Sequence, residues 1–469
     1  MRILFVTPEC APLTKTGGLG DVSAALPAAL RELGLDVRQL LPGYSDVLAG
    51  TQGAAEIGRL HVLGFDLRLL EAGAFLVIDC PTLYKREGGP YQDSAGADWA
   101  DNALRFAVLS KAASLLAGEN SPLAWRPECL HCNDWPAALA AAYLSFDAQA
   151  SAASVVTVHN LAFQGNFDAA LLGRLGLPAR SFSVDGLEFH GRLSFLKAGL
   201  AYADAITTVS PSYAREIQGE AFGCGLDGLL RQRRQSLTGI LNGVDTALWD
   251  PASDPLIAAP YDAACLDGKA LNKQALQFRL RLKVDAQVPL IGVVSRLTHQ
   301  KGSDLLAEAL DDLVKLPVQL AVLGKGEARA EDALRAAAER YPGRVSVTIG
   351  FDETLAHGIE AGSDIFLMPS RYEPCGLNQM YSQRYGTPPV AHATGGLIDT
   401  IEDGKSGFLF APAEAGALIE AVRRAIGVRR DPGRWHEMRR RGMQRDFSWC
   451  AAARQYAALY SRLAMRAPA

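Results

Sequence analysis

The sequence has no long apolar run, no strong excess of charge of one sign and no regular set of cysteines. No apolar stretch approaches the roughly 20 residues that a membrane-spanning helix needs, and the formal net charge of the 469 residues is -4. We therefore predict no membrane partner, and no nucleic-acid partner because polyanions are bound by strongly basic surfaces. The N-terminus has one arginine, a short apolar stretch and then Pro8, which is not a signal peptide, and we expect a cytoplasmic protein.

The eight cysteines are scattered along the chain, which excludes the disulfide framework of a small secreted protein. Cys129 and Cys132 are spaced as C-x-x-C, but no second pair of ligands at matching spacing indicates a zinc site. A thioredoxin-like role and a pair of reduced cysteines at the end of a buried strand are the two interpretations, and we favour the second. No acidic cluster such as D-x-D follows a strand, so we expect no metal ion and no other cofactor.

A glycine-rich turn occupies the stretch Lys15-Thr16-Gly17-Gly18-Leu19-Gly20-Asp21, between an apolar strand pattern and a helical pattern. It is not a Walker P-loop, because the lysine precedes the glycines, and its spacing does not fit the G-x-G-x-x-G dinucleotide motif. Glycines let the backbone approach a ligand, and amides at a helix start favour an anion. The turn by itself is equally consistent with a phosphate site and with a tight turn capped by Asp21.

Strand and helix patterns alternate along most of the chain. The predicted strands are Arg2–Val6, Val37–Leu41, Phe75–Asp79, Val155–Val158, Ala203–Val209, Leu290–Ser295, Val318–Leu323, Val345–Ile349, Asp364–Pro369, Pro389–Ala391 and Gly407–Phe410. Strands separated by helical patterns indicate parallel sheets with right-handed crossovers. The two series of strands predict an α/β protein with two Rossmann-like doubly wound domains facing a cleft.

A stretch rich in Gly, Pro, Asp and Trp around Ile240–Asp262 separates the two series. We predict an N-terminal domain over residues 1–245, a C-terminal domain over residues 246–449 and a terminal helix within residues 450–469. Ligands of doubly wound sheets bind beyond the carboxyl ends of the strands, and the polar motifs of this chain lie at those positions.

Two motifs of the second series carry groups suited to a diphosphate and a sugar. Arg296 and Lys301 follow a predicted buried strand, where they can clamp a diphosphate or form a solvated basic loop. Glu373 follows another strand, and Gly376 opens a helix whose amides can hold phosphate oxygens. Glu373 can accept hydrogen bonds from sugar hydroxyls, or it can cap the helix.

Three other strand ends carry polar residues. Thr394 and Gly395 belong to a further turn with a glycine pair, which has the same two interpretations as the first. His159 and Asn160 end an apolar strand, and their polar neighbours favour a role in the predicted cleft over that of a core histidine. Asp134 can act in the same cleft or cap the alanine-rich helix that follows it.

Taken in order, ten motifs make the chain resemble the bacterial glycogen synthases and plant starch synthases, which are retaining nucleotide-sugar glucosyltransferases. The resemblance runs from Arg2 to about Tyr460. The motifs are KTGGLGDV (15–22), PYQD (90–93), DNALRF (101–106), NDWPA (133–137), TVHNLAFQGNF (157–167), TTVSPSYAREI (207–217), LNGVD (241–245), SRLTHQKG (295–302), RYEPCGLNQMY (371–381) and TGGLIDT (394–400).

This resemblance implies a GT-B fold in which the terminal helix crosses back to the first domain. It also implies that glucose passes from ADP-glucose to the non-reducing end of an α-1,4-glucan such as glycogen, with retention of configuration. The implied catalytic residues are His159, Asp134, Arg296, Lys301 and Glu373. The implied ADP-glucose ligands are Lys15, Gly17, Gly18, Asn242, Arg296, Lys301, Phe351 (against the adenine), Glu373, Cys375, Gly376, Leu377, Thr394 and Gly395. The implied acceptor-side residues are Asp21, Tyr91, Asn102 and Asn160.

The chain departs from the family pattern at two places. His131-Cys132-Asn133 stands where many relatives have two histidines around an alanine, and His392 stands near a common arginine. Tyr381 occupies a position where relatives outside the family often have a second glutamate, so the ribose must be bound differently. The alternatives are a transferase for UDP-glucose or another acceptor, a silent glucan-binding homologue and an NAD oxidoreductase. The silent homologue is disfavoured because Lys15, Arg296, Lys301 and Glu373 are all present, and the oxidoreductase because its glycine motif is missing.

Overall fold

The computed structural model describes residues 1–119, 121–147, 149 and 151–465, which form two compact units. The first unit is Met1–Gly243 together with the segment that starts at Trp449, and the second is Val244–Ser448. The predicted boundaries after residues 245 and 449 lie within two residues of these positions.

The first unit is an α/β unit built on a twisted sheet. Its elements are β1 (Arg2–Val6), α1 (Gly18–Glu32), β2 (Asp36–Pro42), α2 (Ser45–Gly50), β3 (Ala55–Val62), β4 (Phe65–Ala72), β5 (Phe75–Asp79), α3 (Pro81–Tyr84), α4 (Asn102–Ala117), β6 (Cys129–Asn133), α5 (Asp134–Ser145), β7 (Ala153–Val158), β8 (Asn166–Asp168), β9 (Glu188–Phe189), β10 (Arg192–Ser194), α6 (Phe195–Tyr202), β11 (Ala205–Thr208), α7 (Pro211–Glu216), α8 (Asp227–Gln232) and β12 (Leu237–Gly239). Among the described residues, nine strands form the main sheet in the order β12-β11-β7-β6-β1-β2-β5-β4-β3.

The main sheet is parallel from β12 to β5 and antiparallel where β4 pairs with β5 and β3 with β4. The sequence analysis did not predict the hairpin of β3 and β4. Leu63 and Gly64 connect its strands with positive φ angles of 52° and 86°, which is the backbone of a tight two-residue hairpin turn. The strands β8, β10 and β9 form a separate small antiparallel sheet.

The second unit is a doubly wound sheet with helices on both faces. Its elements are α9 (Asp267–Arg279), β13 (Leu290–Val294), α10 (Ser303–Leu313), β14 (Gln319–Gly324), α11 (Ala328–Arg340), β15 (Val345–Ile349), α12 (Glu353–Gly362), β16 (Ile365–Met368), α13 (Asn378–Arg384), β17 (Pro389–His392), α14 (Gly395–Thr400), β18 (Phe408–Phe410), α15 (Ala415–Arg429) and α16 (Pro432–Met443). In the described part of the chain, six parallel strands lie in the order β15-β14-β13-β16-β17-β18.

Alternate residues of β13 enter two different apolar cores of the second unit. Ile291 and Val293 pack with helices α10, α11 and α15, whereas Leu290 packs with α9 and α12. Buried strands of this kind are apolar on both faces because helices cover both sides of a parallel sheet. The structure therefore confirms the predicted α/β class with two Rossmann-like domains.

The last described helix, α17 (Trp449–Ala464), completes the core of the first unit. Trp449, Tyr456 and Tyr460 are buried against the core side chains of β1 and α1. The Tyr460 hydroxyl also lies 2.6 Å from Nδ1 of the buried His131. None of the helices in the described ranges is both long and apolar enough to cross a bilayer.

Candidate active site

A pocket of about 180 Å³ lies at the carboxyl ends of β13 and β16 in the second unit. Arg296, Lys301, Gly376 and Leu377 line it together, as the sequence predicted for a diphosphate site. Asn378, which no motif argument had singled out, lines the pocket and donates from its amide nitrogen to the carbonyl of Val294 at 2.7 Å. This bond joins the start of α13 to the end of β13.

Lys301 and Glu373 form an ion pair beside this pocket. Lys301 Nζ lies 2.6 Å from Glu373 Oε2, and the Ser370 hydroxyl donates to the same oxygen at 2.9 Å. The Glu373 side chain is 5% exposed, whereas that of Lys301 is 20% exposed. Because Glu373 has a cation and a hydroxyl as partners, its carboxylate is not acting as the cap of α13, whose start shows no side-chain cap.

Close backbone contacts bring the three loops of this site together. Gly302 has a φ of 69°, and a Cβ there would collide with the carbonyl of Pro369. Gly396 donates its N–H to the carbonyl of Glu373 at 3.0 Å, and a Cβ on it would collide with Cys375. Glycine is needed at both positions, since any side chain would push the loops apart.

The remaining predicted residues of the second unit are not among those that line the pocket. Thr394 precedes α14, and Gly395 begins that helix with a φ of 45°. Cys375 is buried next to Gly376. Phe351 follows β15 at the edge of the sheet and is 89% exposed. An exposed aromatic ring is available for stacking, and its role against an adenine stays a prediction.

The Lys15–Gly18 turn of the first unit has an unexpected partner. Glu9, which follows β1 and is 3% exposed, accepts the N–H groups of Thr16 at 2.6 Å and Gly17 at 3.2 Å on Oε2. Lys15 Nζ lies 2.7 Å from Asp21 Oδ1. We predicted that the Gly17 N–H binds a phosphate of the nucleotide sugar. In the structure this N–H instead binds the carboxylate of Glu9.

Tyr91 completes the set of groups around Glu9. Its hydroxyl donates to Glu9 Oε1 at 2.8 Å, and its ring packs beside Phe106 and Trp135. Burial raises the pKa of the Tyr91 phenol well above its usual value, which keeps it protonated as a donor. Asn102 supports this segment, because its amide nitrogen donates to the carbonyl of Tyr91 at 2.9 Å.

Asp134 and His159 meet at the carboxyl ends of β6 and β7. Asp134 is the first residue of α5, with a φ of 52°, and its Oδ1 accepts the N–H of His159 at 2.7 Å. The Asn160 N–H lies near the same carboxylate and acts to lower its pKa. Asp134 thus binds the turn after β7, and the alternative in which it caps α5 is wrong, since the start of that helix shows no side-chain cap.

Burial sets the protonation of this pair. Burial raises the pKa of Asp134 to about 7, although the N–H groups of His159 and Asn160 act in the opposite direction. Burial also lowers the pKa of His159 to about 3, so its imidazole is neutral at pH 7. His159 Nε2 lies 3.0 Å from Asn133 Oδ1, an acceptor, which fixes the proton on Nε2.

Two predicted residues of the first unit have less defined roles. Asn160 Oδ1 accepts the N–H of Ala162 at 3.1 Å and so shapes its own turn. Asn242 is 9% exposed, and within the described residues its Oδ1 has no hydrogen-bond partner. A buried acceptor without a donor is suited to a ligand hydroxyl or N–H, and the donor-binding role of Asn242 stays a prediction.

Comparisons with known proteins agree with this arrangement. Residues 2–232 match the model of the starch synthase catalytic domain, and residues 277–442 match glycosyl transferases group 1. The glycogen synthase of Aromatoleum aromaticum is 55% identical over 100% of this chain and 98% of its own. That of Nitrosomonas eutropha is 52% identical over 99% of this chain and 96% of its own.

Solved structures give the same result. The catalytic domain of Starch Synthase IV from Arabidopsis thaliana, solved with ADP and acarbose, has a TM-score of 0.87 and 32% identity, with 99% of both chains covered. The sucrose-phosphate synthase of Thermosynechococcus elongatus, at 20% identity and a TM-score of 0.61 over 98% of both chains, shares the fold alone. Fold and matched models together define a glycosyltransferase enzyme of the GT-B type. Within that class, the chain belongs to the glycogen synthase and starch synthase family.

Proposed function

We propose that this enzyme transfers glucose from ADP-glucose to the non-reducing end of an α-1,4-glucan, with retention of configuration. The observation that carries the proposal is the pocket in which Arg296, Lys301 and the start of α13 converge. The relatives named glycogen synthase support the reaction, and the starch synthase solved with ADP and acarbose supports the donor and the acceptor. The cytoplasmic location expected from the sequence stays a prediction.

In this mechanism the anomeric C–O bond of the donor breaks through an oxocarbenium-like state, and negative charge collects on the leaving ADP. Arg296 and Lys301 stabilise that charge, together with backbone N–H groups at Gly376 and Leu377. Side chains and amides supply the positive charge, so we propose that the reaction needs no metal ion and no other cofactor.

The ion pair of Lys301 and Glu373 offers one group for the diphosphate of ADP-glucose and one for its glucose. Lys301 has three N–H donors on a flexible stem, so it can bond to a phosphate oxygen while it keeps Glu373 as a partner. Glu373 Oε2 is held by Lys301 and Ser370. The second oxygen, Oε1, is the acceptor through which Glu373 would bind a hydroxyl of the donor glucose.

In the first unit, the groups around His159 suit a neutral sugar. The neutral imidazole, Asn160 and the Tyr91 phenol offer donors and acceptors without a cation. We propose that this surface contacts the transferred glucose and the acceptor glucan, and that Lys15 and Gly18 approach the donor from the glycine-rich turn.

The deciding experiment measures ADP release from ADP-glucose with and without glycogen, with UDP-glucose in a parallel reaction. We expect glycogen-dependent release of ADP and a much slower reaction with UDP-glucose. An Arg296→Ala variant controls for contaminating hydrolases. Release of UDP as fast as ADP, or release that does not depend on glycogen, would contradict the proposal.

A further inference from the structure

A second groove lies in the second unit, at the opposite end of the strands that carry the candidate active site. Its volume is about 420 Å³, and its walls include Ser363 and Asp364, just before β16, and Ala286, which precedes β13. Arg296 and Lys301, the candidate diphosphate ligands, line the pocket at the carboxyl ends of these strands. The second groove lies at the amino ends and is therefore separate from that pocket, and we call it the amino-edge groove. The predicted motifs contribute no residue to it.

Positive charge is in excess in the walls of the amino-edge groove. Its charged residues are Lys269, Lys273, Arg429 and Arg439 against the single carboxylate of Asp364. Asp364 is already shared, since Lys273 Nζ lies 2.8 Å from one oxygen and Arg429 Nε lies 3.2 Å from the other. The net charge of Lys273, Arg429 and Asp364 together is therefore positive by one unit.

Lys269 and Arg439 have no carboxylate bonded to them in the described residues. Lys269 is 4% exposed and donates to the carbonyls of Glu360 and Ala361 and to the Thr387 hydroxyl. Within the described part of the chain, the Arg439 side chain donates from Nε to the carbonyl of Gly386 at 3.1 Å, and both Nη groups remain available.

The Glu360 carboxyl lies near Lys269 without a hydrogen bond to it in the part of the chain that is described. Burial raises the pKa of Glu360 well above its usual value, which favours its neutral form. Burial likewise lowers the pKa of Lys269 well below its usual value, so Lys269 adds little positive charge. Lys273, Arg429 and Arg439 still leave three cations against the single carboxylate of Asp364. Buried cations without partners are unfavourable, and an anion in the groove would offset them.

We propose that the amino-edge groove binds a small phosphate-bearing molecule, with the Arg439 guanidinium as its direct ligand. A guanidinium presents paired N–H donors that match two phosphate oxygens, and Lys273 and Arg429 add positive potential. Leu271 and Val284 line the same groove and are 56% and 48% exposed, so an organic group attached to the phosphate would find an apolar contact. This site does not depend on the proposed reaction.

Calorimetric titration of the full chain with inorganic phosphate tests the proposal, with excess ADP present to fill the candidate active site and ionic strength held constant. The wild-type protein should bind phosphate under these conditions. Arg439→Gln should weaken the affinity about tenfold or more, as expected for a lost charged hydrogen bond. Arg440→Gln is the matched control, because the neighbouring Arg440 pairs with Glu437 on the exposed side of α16.

A second variant removes the risk that Arg439→Gln perturbs folding. Gln274 is exposed at the rim of the groove, and Gln274→Glu should weaken phosphate binding by repulsion without loss of a buried group. Tighter binding of phenyl phosphate than of inorganic phosphate would assign the site to an organic phosphate, and equal binding to the free ion. No binding in the wild-type protein, or equal binding by Arg439→Gln and Arg440→Gln, would overturn the proposal.

Discussion

Two buried glutamates, Glu9 in the first unit and Glu373 in the second, occupy comparable places with different partners. Each follows a parallel strand and lies beside a glycine-rich turn, and they are 3% and 4% exposed. Glu9 accepts hydrogen bonds from two backbone N–H groups and the Tyr91 phenol. Glu373 accepts them from the Lys301 ammonium and the Ser370 hydroxyl.

The difference in partners indicates a difference in task. No cation contacts the Glu9 carboxylate among the described residues, so its negative charge repels a phosphate near the amides of Thr16 and Gly17. Beside Glu373, by contrast, Lys301 presents an ammonium to the pocket. From this comparison we propose that the Glu373 site binds the anionic part of the substrate and that the surface around Glu9 binds neutral hydroxyls.

The largest effect should come from the cations of the second unit. Lys301→Ala and Arg296→Ala should each lower kcat roughly a hundredfold or more, because each removes a donor that stabilises developing charge. Steady-state kinetics with ADP-glucose and glycogen measure this. Lys405→Ala, at an exposed position of the same unit, should retain normal turnover. Near-normal kcat in both site variants would contradict the proposal that anion binding is concentrated at the Glu373 site of the second unit.

The next effect concerns Glu373 itself. Glu373→Gln retains an oxygen for the Ser370 hydroxyl but removes the charge that orients Lys301, so kcat/KM for ADP-glucose should fall by more than about tenfold. The melting temperature should change by only a few degrees, as for the loss of about 1 kcal/mol. Thermal unfolding measured beside the kinetics separates the two roles. Normal turnover with a clearly lower melting temperature would make Glu373 a structural residue.

A smaller effect is expected at Glu9. Glu9→Ala releases the N–H groups of Thr16 and Gly17 together with the Tyr91 hydroxyl, and kcat/KM should fall by about tenfold. Glu9→Gln should recover most of this loss, because its amide oxygen can accept the two N–H groups while its nitrogen faces the phenol. Failure of Glu9→Gln to recover activity would show that the charge of Glu9, and not its hydrogen bonds, is needed.

Asp134 resembles Glu9, since its carboxylate accepts a hydrogen bond from a backbone N–H, that of His159, and it provides a test by pH. Its folded-state pKa is about 7 against an ordinary value of 3.8, so the folded protein binds a proton that the unfolded chain has lost. The contribution of Asp134 to stability should therefore be greatest near pH 4 and decrease as the pH rises towards 7, against the opposite contribution of His159, whose pKa is lowered to about 3. In Asp134→Asn this decrease should be smaller. Melting temperatures of both proteins at several pH values measure the difference, and parallel profiles would contradict the assignment.

No effect at all is expected from removal of metal ions. The positive charge in the proposed mechanism comes from Arg296, Lys301 and backbone amides, so dialysis against EDTA should leave activity unchanged. If activity were lost and then returned with Mg²⁺ or Mn²⁺, a metal ion, and not Lys301, would stabilise the negative charge on the leaving ADP.

Most strands of the two parallel sheets were predictable from the sequence because they are apolar on both faces and alternate with helical patterns. Arg2–Val6, Phe75–Asp79 and Val345–Ile349 were predicted with their observed bounds, and the other predicted strands within two residues, but β6 and β12 of the main sheet of the first unit were not among the predicted strands. The hairpin of β3 and β4 was missed, because its strands contain charged residues and lie at the edge of the sheet. Local patterns carry little information about strands of this kind, whose stability comes from pairing.

The candidate site was predictable where a motif is contiguous, as from Arg296 to Lys301. Glu9 was missed because its partners are seven or more residues away in sequence, at Thr16, Gly17 and Tyr91. The available signal was a carboxylate directly after a buried strand and shortly before a glycine pair. One of the two roles predicted for Asp134, that of a helix cap, was wrong. The local sequence before a helix cannot reveal that this carboxylate binds a turn 25 residues later in the chain.

The position of α17 has a consequence for how the protein is made. The second unit is inserted between two segments of the first, and the first unit buries Trp449, Tyr456 and Tyr460 in its own core. During synthesis, all residues of the second unit leave the ribosome before α17 does. The usual order, in which the N-terminal domain folds first, is thus reversed at the final step: the second unit can reach its native state while the first still exposes apolar surface on β1 and α1.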